Sequence, residues 1–260
     1  MNKFVALIDI LGFKDIIQKN SHEKVVHLFD NFRVYLQMGI ADYKSTEDQW
    51  GRAVFDVSQS VVNSTIISDS IILWTTDSST EAFFELVKCI QRFTSFCHNN
   101  PMISLRGGIT FGEFYYDYSG VIKGKDSLMV HPIMRGKALV GVYEIEKTLQ
   151  FAGCIITEAA LDAAKAPDEP LFQEHWQELE KDQKVIQYDV PIKAGSMRTW
   201  TINWVSKASN PTYEKIKDGF SSYNKSIDAT DVRTKMENTL KYFSYVKENV
   251  FGSTTEQESA

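Results

Sequence analysis

The chain has 260 residues, 43% of them hydrophobic and 24% charged, with a net charge of −6 and a pI of about 5.5. That is the make-up of one globular domain with room for an extension. It excludes a nucleic-acid-binding surface as the main feature, and no apolar run reaches the roughly 18 residues of a membrane span. Cys89, Cys97 and Cys154 have neither zinc-site nor disulfide spacing, which points to a reducing cytoplasm and to small apolar core roles.

In chain order, Phe4-Val-Ala-Leu-Ile-Asp-Ile-Leu-Gly-Phe13 opens as an apolar strand. An acid, Asp9, sits where a secretory leader would be apolar, so this is a core strand and no leader is expected. Gly12 marks a sharp turn where a ligand can come near the backbone. Helical spacing follows through Ile16, Val25, Leu28, Phe32 and Leu36, broken and recapped at Asn20-Ser21. Residues 39–52 read as a loop. Val54–Val62 and Ser64–Trp74 read as a hairpin turning near Asn63, with Asp69 in its second strand. Ser78-Ser-Thr-Glu81 is a capping box for a helix burying Phe83, Leu86, Val87, Ile90, Phe93 and Cys97.

The stretch Ile103–Tyr116 reads as a glycine-flanked strand, a turn and a second strand. Tyr118–Asp126 reads as a loop, Pro132–Leu149 as a helix, Cys154–Thr157 as a buried strand, and Thr157 as the cap of a helix over Glu158–Lys165. Residues 166–184 are acidic and polar and read as surface. Val185–Val190 and Trp200–Val205 suit a closing hairpin. Asn210-Pro211 opens a helical tail whose Val232, Met236, Leu240, Phe243 and Val250 need a packing partner, and Gly252–Ala260 reads as disordered. The division expected is a main domain over 4–205, a helical extension over 206–251 and a tail over 252–260. The order β-α-β-β-α-β, then more of both, is the ferredoxin-like split βαβ pattern with additions, an α+β fold.

Asp9 and Asp69 carry the chemistry. Each is an acid set in an apolar strand pattern, costly to bury without a partner. Meeting across neighbouring strands, they would hold divalent metal on a nucleoside triphosphate. Hard oxygen ligands with no neighbouring His or Cys suit Mg²⁺ or Mn²⁺ rather than zinc. With neither a Walker A sequence nor GxGxxG, phosphates would need metal, turn amides and cations. Arg106, Arg135 and Lys137 are the candidate cations. The alternatives are an ion pair of Arg106 with Glu113 and a solvated helix face for Lys137. Thr65 and Ser68 offer hydroxyls to a base or ribose, or simply line a strand; Phe13 is either core or ligand contact. Of His22, His27, His98, His131 and His175 none has ligand spacing, so surface or satisfied polar roles suffice. Phe114-Tyr-Tyr116 with Tyr118 is either a base platform or ordinary strand packing.

The Asp9-Ile-Leu-Gly-Phe13 turn, the Ser68-Asp69 hairpin, Leu105-Arg-Gly-Gly-Ile-Thr-Phe-Gly112 and the Gly136-to-Glu146 helix occur in the order seen in class III nucleotidyl cyclases. Over residues 4–205 the chain resembles that family, and within it the bacterial pyrimidine cyclases of Pycsar anti-phage defence, which make cyclic UMP or cyclic CMP for a separate effector protein. The resemblance implies two metal ions held by Asp9, Asp69 and the Ile10 carbonyl, phosphates at Gly12 and Phe13, and a homodimer with shared sites. At the positions where purine cyclases read their base or steady their transition state stand Thr65, Ile133, Val140 and Glu144. Their identities argue against ATP or GTP. UTP is the expected substrate, with CTP, a purine cyclase with a rebuilt pocket, and an inactive nucleotide-binding relative as alternatives.

Overall fold

The computed structural model describes residues 1–99, 103–117, 121–123, 128–130, 132–205 and 212–252. The expected loop over 118–126, with Tyr118, His131, the tail's opening at Asn210-Pro211 and the last eight residues lie wholly or mainly outside them. The chain runs β1 (Asn2–Ile10), α1 (Phe13–Lys19), α2 (His22–Ala41), β2 (Ser45–Glu47), β3 (Ala53–Phe55), β4 (Val62–Ile67), β5 (Ser70–Thr75), α3 (Thr80–Asn99), β6 (Leu105–Glu113) and β7 (Tyr115–Asp117). It continues through β8 (Val121–Lys123), β9 (Leu128–Val130), β10 (Ile133–Arg135), α4 (Lys137–Thr148), β11 (Gly153–Ile156), α5 (Glu158–Lys165) and α6 (Glu169–Lys181). Last come β12 (Val185–Ile192), β13 (Gly195–Ile202), α7 (Tyr213–Ser221) and α8 (Thr230–Tyr245), which ends in a π-helical turn to Val250.

The main sheet has the strand order β12-β13-β11-β6-β1-β5-β4. Its β6-β1-β5-β4 part, antiparallel throughout, is the arrangement of a βαββαβ unit whose first and third strands lie in the middle and whose last strand pairs with the first. β11 joins β6 in parallel, and the β12–β13 hairpin closes that edge. β1 is apolar on both faces because both are covered. Phe4, Ala6 and Ile8 pack with Leu28 and Phe32 of α2 and Phe83 and Ile90 of α3. Val5 and Leu7 face the other way, against Ala138 and Val142 of α4. Beside α4 on that second face, Phe220 of α7 and Tyr242 and Phe243 of α8 pack with Ile155 and Val190.

Gly107 shows why β6 needs glycine: a Cβ there would stand 2.1 Å from the Leu7 carbonyl oxygen of β1. The caps at Ser21 and Thr157 form as expected, and the three cysteines are buried, free and apolar in surroundings.

Five local readings need correction. The hairpin turns at Ser68-Asp69, not near Asn63, so Asp69 lies in the turn rather than in β5; Ser68 takes the left-handed φ of 58° that a two-residue turn demands. α3 is capped by Ser79, which accepts from the Ala82 amide, one residue later than the capping box placed it. Residues 133–135 pair with β7 before α4 begins, because Gly136 at φ 141° breaks the path. Residues 39–52 hold the end of α2 and β2, which pairs with β3 just beyond them, and 166–184 hold α6. Its Asp168 cap and the 172, 176, 179 spacing of Phe, Trp and Leu, all buried, outweigh its acidic surface.

Candidate active site

β1 leaves the sheet at Ile10, and the chain bends at Gly12, whose φ of 80° is left-handed. The bend brings three elements around one hollow. Asp9 sits opposite Ser70 of β5 on one side and Arg106 of β6 on the other. Asp69, one residue before Ser70, accepts the Ile10 amide on its carbonyl at 3.0 Å. The tight turn thus hangs the second acid beside the end of β1.

Asp9 is on the α4 face of the sheet, with Val5 and Leu7, and it is not alone there. Arg106 Nη2 lies 2.5 Å from Glu146 Oε1, and its Nε lies 3.4 Å from Asp9 Oδ2. Its Nη1 donates to the Leu149 carbonyl at 3.2 Å. Arg106 and Glu146 are both nearly shut off from water. Arg106 Nε and Glu146 Oε1 still lack a hydrogen bond of good geometry. The alternative partner Glu113 is ruled out: it ends β6, Arg106 is that strand's second residue, and seven residues of strand span roughly 23 Å.

One guanidinium therefore serves two nearby carboxylates, with a third in Asp69. The proton affinity of Asp9 records the imbalance. Its carboxyl is raised to about 7: burial and then Glu146 push it up, Arg106 pulls against them, and Asp69 adds to the rise. A divalent cation between Asp9 and Asp69 would relieve that repulsion, and two carboxylates form the hard-oxygen set that Mg²⁺ or Mn²⁺ prefers. Ile10 also borders the hollow; its side chain is in the core, so it presents backbone there. Among the described residues no group of three or more His, Cys, Asp or Glu has metal-site geometry, so any ion here would rest on the aspartate pair and backbone.

The hollow is a cavity of about 460 Å³, within the size range of small-molecule sites. Asp9, Ile10, Gly12, Phe13, Asp69 and Arg106 all line it. Thr65, Ser68, Arg135 and Lys137 do not. Thr65 is half-buried in β4 opposite Ile72, and Ser68 is exposed in its turn. Arg135 lies in β10 with its guanidinium 4.6 Å over the Tyr115 ring, and Lys137 is 3.7 Å from Glu113 in open water.

The opposite wall was not foreseen. Lys225, Asp231 and Lys235, from the end of α7 through α8, complete the cavity. Nothing local in their sequence announces this; the tail's apolar spacing required only that it pack somewhere. Glu146 did leave a signal. It stands at i+8 from Ala138 and i+4 from Val142, on the buried stripe of α4, where an acid needs a cation. His98 is not at the surface, and it is satisfied at one ring nitrogen only, by the Leu105 backbone. It is buried, stacked 4.4 Å from Trp204, with Nε2 unpartnered.

No protein-family model and no curated protein matches the chain. Among solved structures, a bacterial light-regulated adenylyl cyclase superposes with a TM-score of 0.51 at 13% identity, over 86% of this chain and 56% of that one. This chain thus spans little more than half of that protein's length. The guanylate cyclase domain from Catenaria anguillulae in complex with GTP gives a TM-score of 0.47 at 14% identity, over 78% of this chain and 96% of that one. The first superposition carries the conclusion, and at that identity it is one of fold: the chain has the α+β fold of a class III cyclase domain. No helix among the described residues is long and apolar enough to cross a membrane.

Proposed function

We propose that this chain, with its class III cyclase fold, is a nucleotidyl cyclase, and that its substrate is a pyrimidine nucleotide: UTP, giving 3′,5′-cyclic UMP and diphosphate. One observation supports the reading above others. Asp9 and Asp69, sixty positions apart, line one cavity with the Gly12 turn, and Asp69 is close enough to raise the proton affinity of Asp9.

In the reaction the ribose 3′-oxygen bonds to the α-phosphorus, the bond from that phosphorus to the pyrophosphate oxygen breaks, and the hydroxyl proton passes to water. Asp9, Asp69 and the Ile10 carbonyl would hold Mg²⁺ or Mn²⁺, two ions per site. When bound, such ions lower the hydroxyl's pKa and neutralise the leaving phosphates. Arg106 orients Asp9 and limits the charge at the back of the site, while Gly12 and Phe13 bring backbone amides to the phosphates. The homodimer belongs to the same proposal. Val140 is 62% exposed and Tyr143 45% exposed on the outer side of α4, an apolar face suited to a second copy. A cytoplasmic setting and a signal to a separate effector in phage defence complete the reading.

Thr65, Ile133, Val140 and Glu144 support the pyrimidine choice, since none can do what the purine-cyclase residues at those places do. The base could equally be cytosine, which makes CTP the first alternative. The same substitutions favour a second reading, a nucleotide sensor that has lost turnover, because Val140 and Glu144 supply neither an amide nor a cation. Incubation of the full chain with each of the four nucleoside triphosphates and Mn²⁺ tests all of this. Cyclic UMP from UTP is the expected product. Cyclic CMP alone moves the assignment to CTP, a purine product overturns the pyrimidine choice, and binding without diphosphate release establishes the sensor.

A further inference from the structure

Lys225 is a buried cation with no ion-pair partner among the described residues. It follows α7, its side chain is only 7% exposed, and it lies along the turn at Gly12, where an added Cβ would stand 2.5 Å from Lys225 Cδ. Its ammonium donates to the Gly219 carbonyl, using one of the three N–H donors a lysine carries.

Most of the other charges near it already have partners among the described residues, Asp69 and Lys14 excepted. Arg106 serves Asp9 and Glu146. Lys235 pairs with Asp231. Asp15, whose charge raises the proton affinity of Lys225, already accepts from Lys19 and from the Ser226 amide. Among the described residues Lys225 has no carboxylate within ion-pair distance. A lysine buried without a counter-charge is costly, and the cost appears as a proton affinity lowered by burial to about 7.

The segment that carries it is firmly seated. Asn20 Nδ2 donates to the Tyr223 carbonyl at 2.6 Å, Asn224 Nδ2 donates to the Lys19 carbonyl at 3.0 Å, and the Ser226 amide donates to Asp15 at 2.7 Å. Lys225 is therefore held against the Gly12 turn by bonds on either side of it in sequence. The cavity it lines opens onto Asp9 and Asp69.

We propose that Lys225 is a polyphosphate-binding residue of this cavity, so that the helical extension supplies a wall and a cation of the site from within the same chain. The ligand class is a polyphosphate anion: a nucleoside triphosphate, or the diphosphate released from it. The assignment rests on the nucleotide reading above for the ligand's identity, but the missing counter-charge stands without it.

The test is calorimetric titration of the full chain with inorganic tripolyphosphate, first in EDTA and then with Mg²⁺. Deleting a charge-assisted hydrogen bond from a buried site weakens binding roughly ten- to a hundredfold. That weakening is expected in Lys225→Met, whose thermal midpoint should match or exceed that of the wild type. In the unmodified protein the Lys225 ¹³Cε resonance should shift on adding tripolyphosphate, a readout that needs no variant to fold. Unchanged affinity in Lys225→Met, an unmoved resonance, or no tripolyphosphate binding in either condition overturns the proposal. The two readings fail separately. Lys225-dependent tripolyphosphate binding in a chain that turns over no nucleotide sinks the cyclase and keeps the anion site. Turnover of UTP with unchanged KM in Lys225→Met does the reverse.

Discussion

At one end of β6, Arg106 is enclosed between Asp9 and Glu146, with side-chain exposures of 14%, 18% and 5%. At the other end, Glu113 meets Lys137 with exposures of 64% and 86%. The residue types are the same, but the surroundings assign them different physics. Water screens the outer pair to near irrelevance. In the inner cluster each charge depends on the others, because removing one leaves the rest buried and uncompensated. The inner cluster is also where one guanidinium serves two carboxylates while a third, Asp69, stands near Asp9, an imbalance that a bound cation relieves. That imbalance, rather than the presence of charged residues, sets the candidate site apart.

The largest expected effects fall at the inner end. Asp69→Ala should lower cyclase turnover by at least roughly a thousandfold, since a metal-ion clamp supplies several kcal/mol. It should leave the urea unfolding midpoint near that of the wild type, because Asp69 is in a turn and only half-buried. Full turnover in this variant would remove Asp69 from the chemistry. Arg106→Met strands Glu146 and Asp9 and should cost about 3–5 kcal/mol in urea unfolding. Adding Glu146→Leu should restore most of that stability without restoring activity. If the double variant regains turnover, Arg106 serves the fold alone. If it regains no stability, the inner cluster is not the coupled unit described above.

The same contrast accounts for what was legible in the sequence. Asp9 and the Gly12 bend could be read because an acid and a glycine interrupt a run that is otherwise wholly apolar. Asp69 could be found but was misplaced by local pattern: Ile66-Ile67 and Ile71-Ile72 flank it symmetrically, and only the left-handed φ of Ser68 shows that the chain turns there. α6 was missed because its acids outnumber its three buried anchors. For Arg106 the pattern offers a phosphate or, as the alternative, Glu113, since a sequence shows that a buried cation needs an acid and not which one. Glu146 was within reach through the 138, 142, 146 spacing. The wall from α7 and α8 was not, because it depends on how a tail more than 200 residues downstream docks against the first turn.

His98 extends the comparison to a buried group that stays neutral. Burial lowers its pKa to about 3, against a backbone hydrogen bond at Leu105 that raises it, and Lys225 lowers it further. The unfolded chain, with a histidine pKa near 6.5, binds the extra proton throughout the window from about 6.5 down to 3. Stability must therefore fall as pH falls through that window. The loss should be on the order of 3 kcal/mol between pH 6.5 and 4. His98→Phe keeps a ring against Trp204 and removes the titration, so its unfolding free energy should vary less over the same range. Parallel pH curves for the two proteins would mean that His98 is solvated in the folded state.

The smallest effect belongs to the outer pair. Lys137→Ala removes one partner of an ion pair whose atoms are 3.7 Å apart and whose side chains are mostly in water. Such pairs contribute below about 1 kcal/mol, and salt screens most of that. Lys137 is also the first residue of α4, where a positive charge faces the positive end of the helix dipole. Its removal should give back a few tenths of a kcal/mol. The two terms oppose each other, so the net change in unfolding free energy should fall within about 0.5 kcal/mol of zero and shrink further in 0.5 M NaCl. A loss comparable to that of Arg106→Met would mean that the outer end of β6 is buried in the working protein. The exposed Val140 and Tyr143 face on the same helix would be the first place to look for the cover, and a rise in apparent stability with protein concentration would identify that cover as a second copy of the chain.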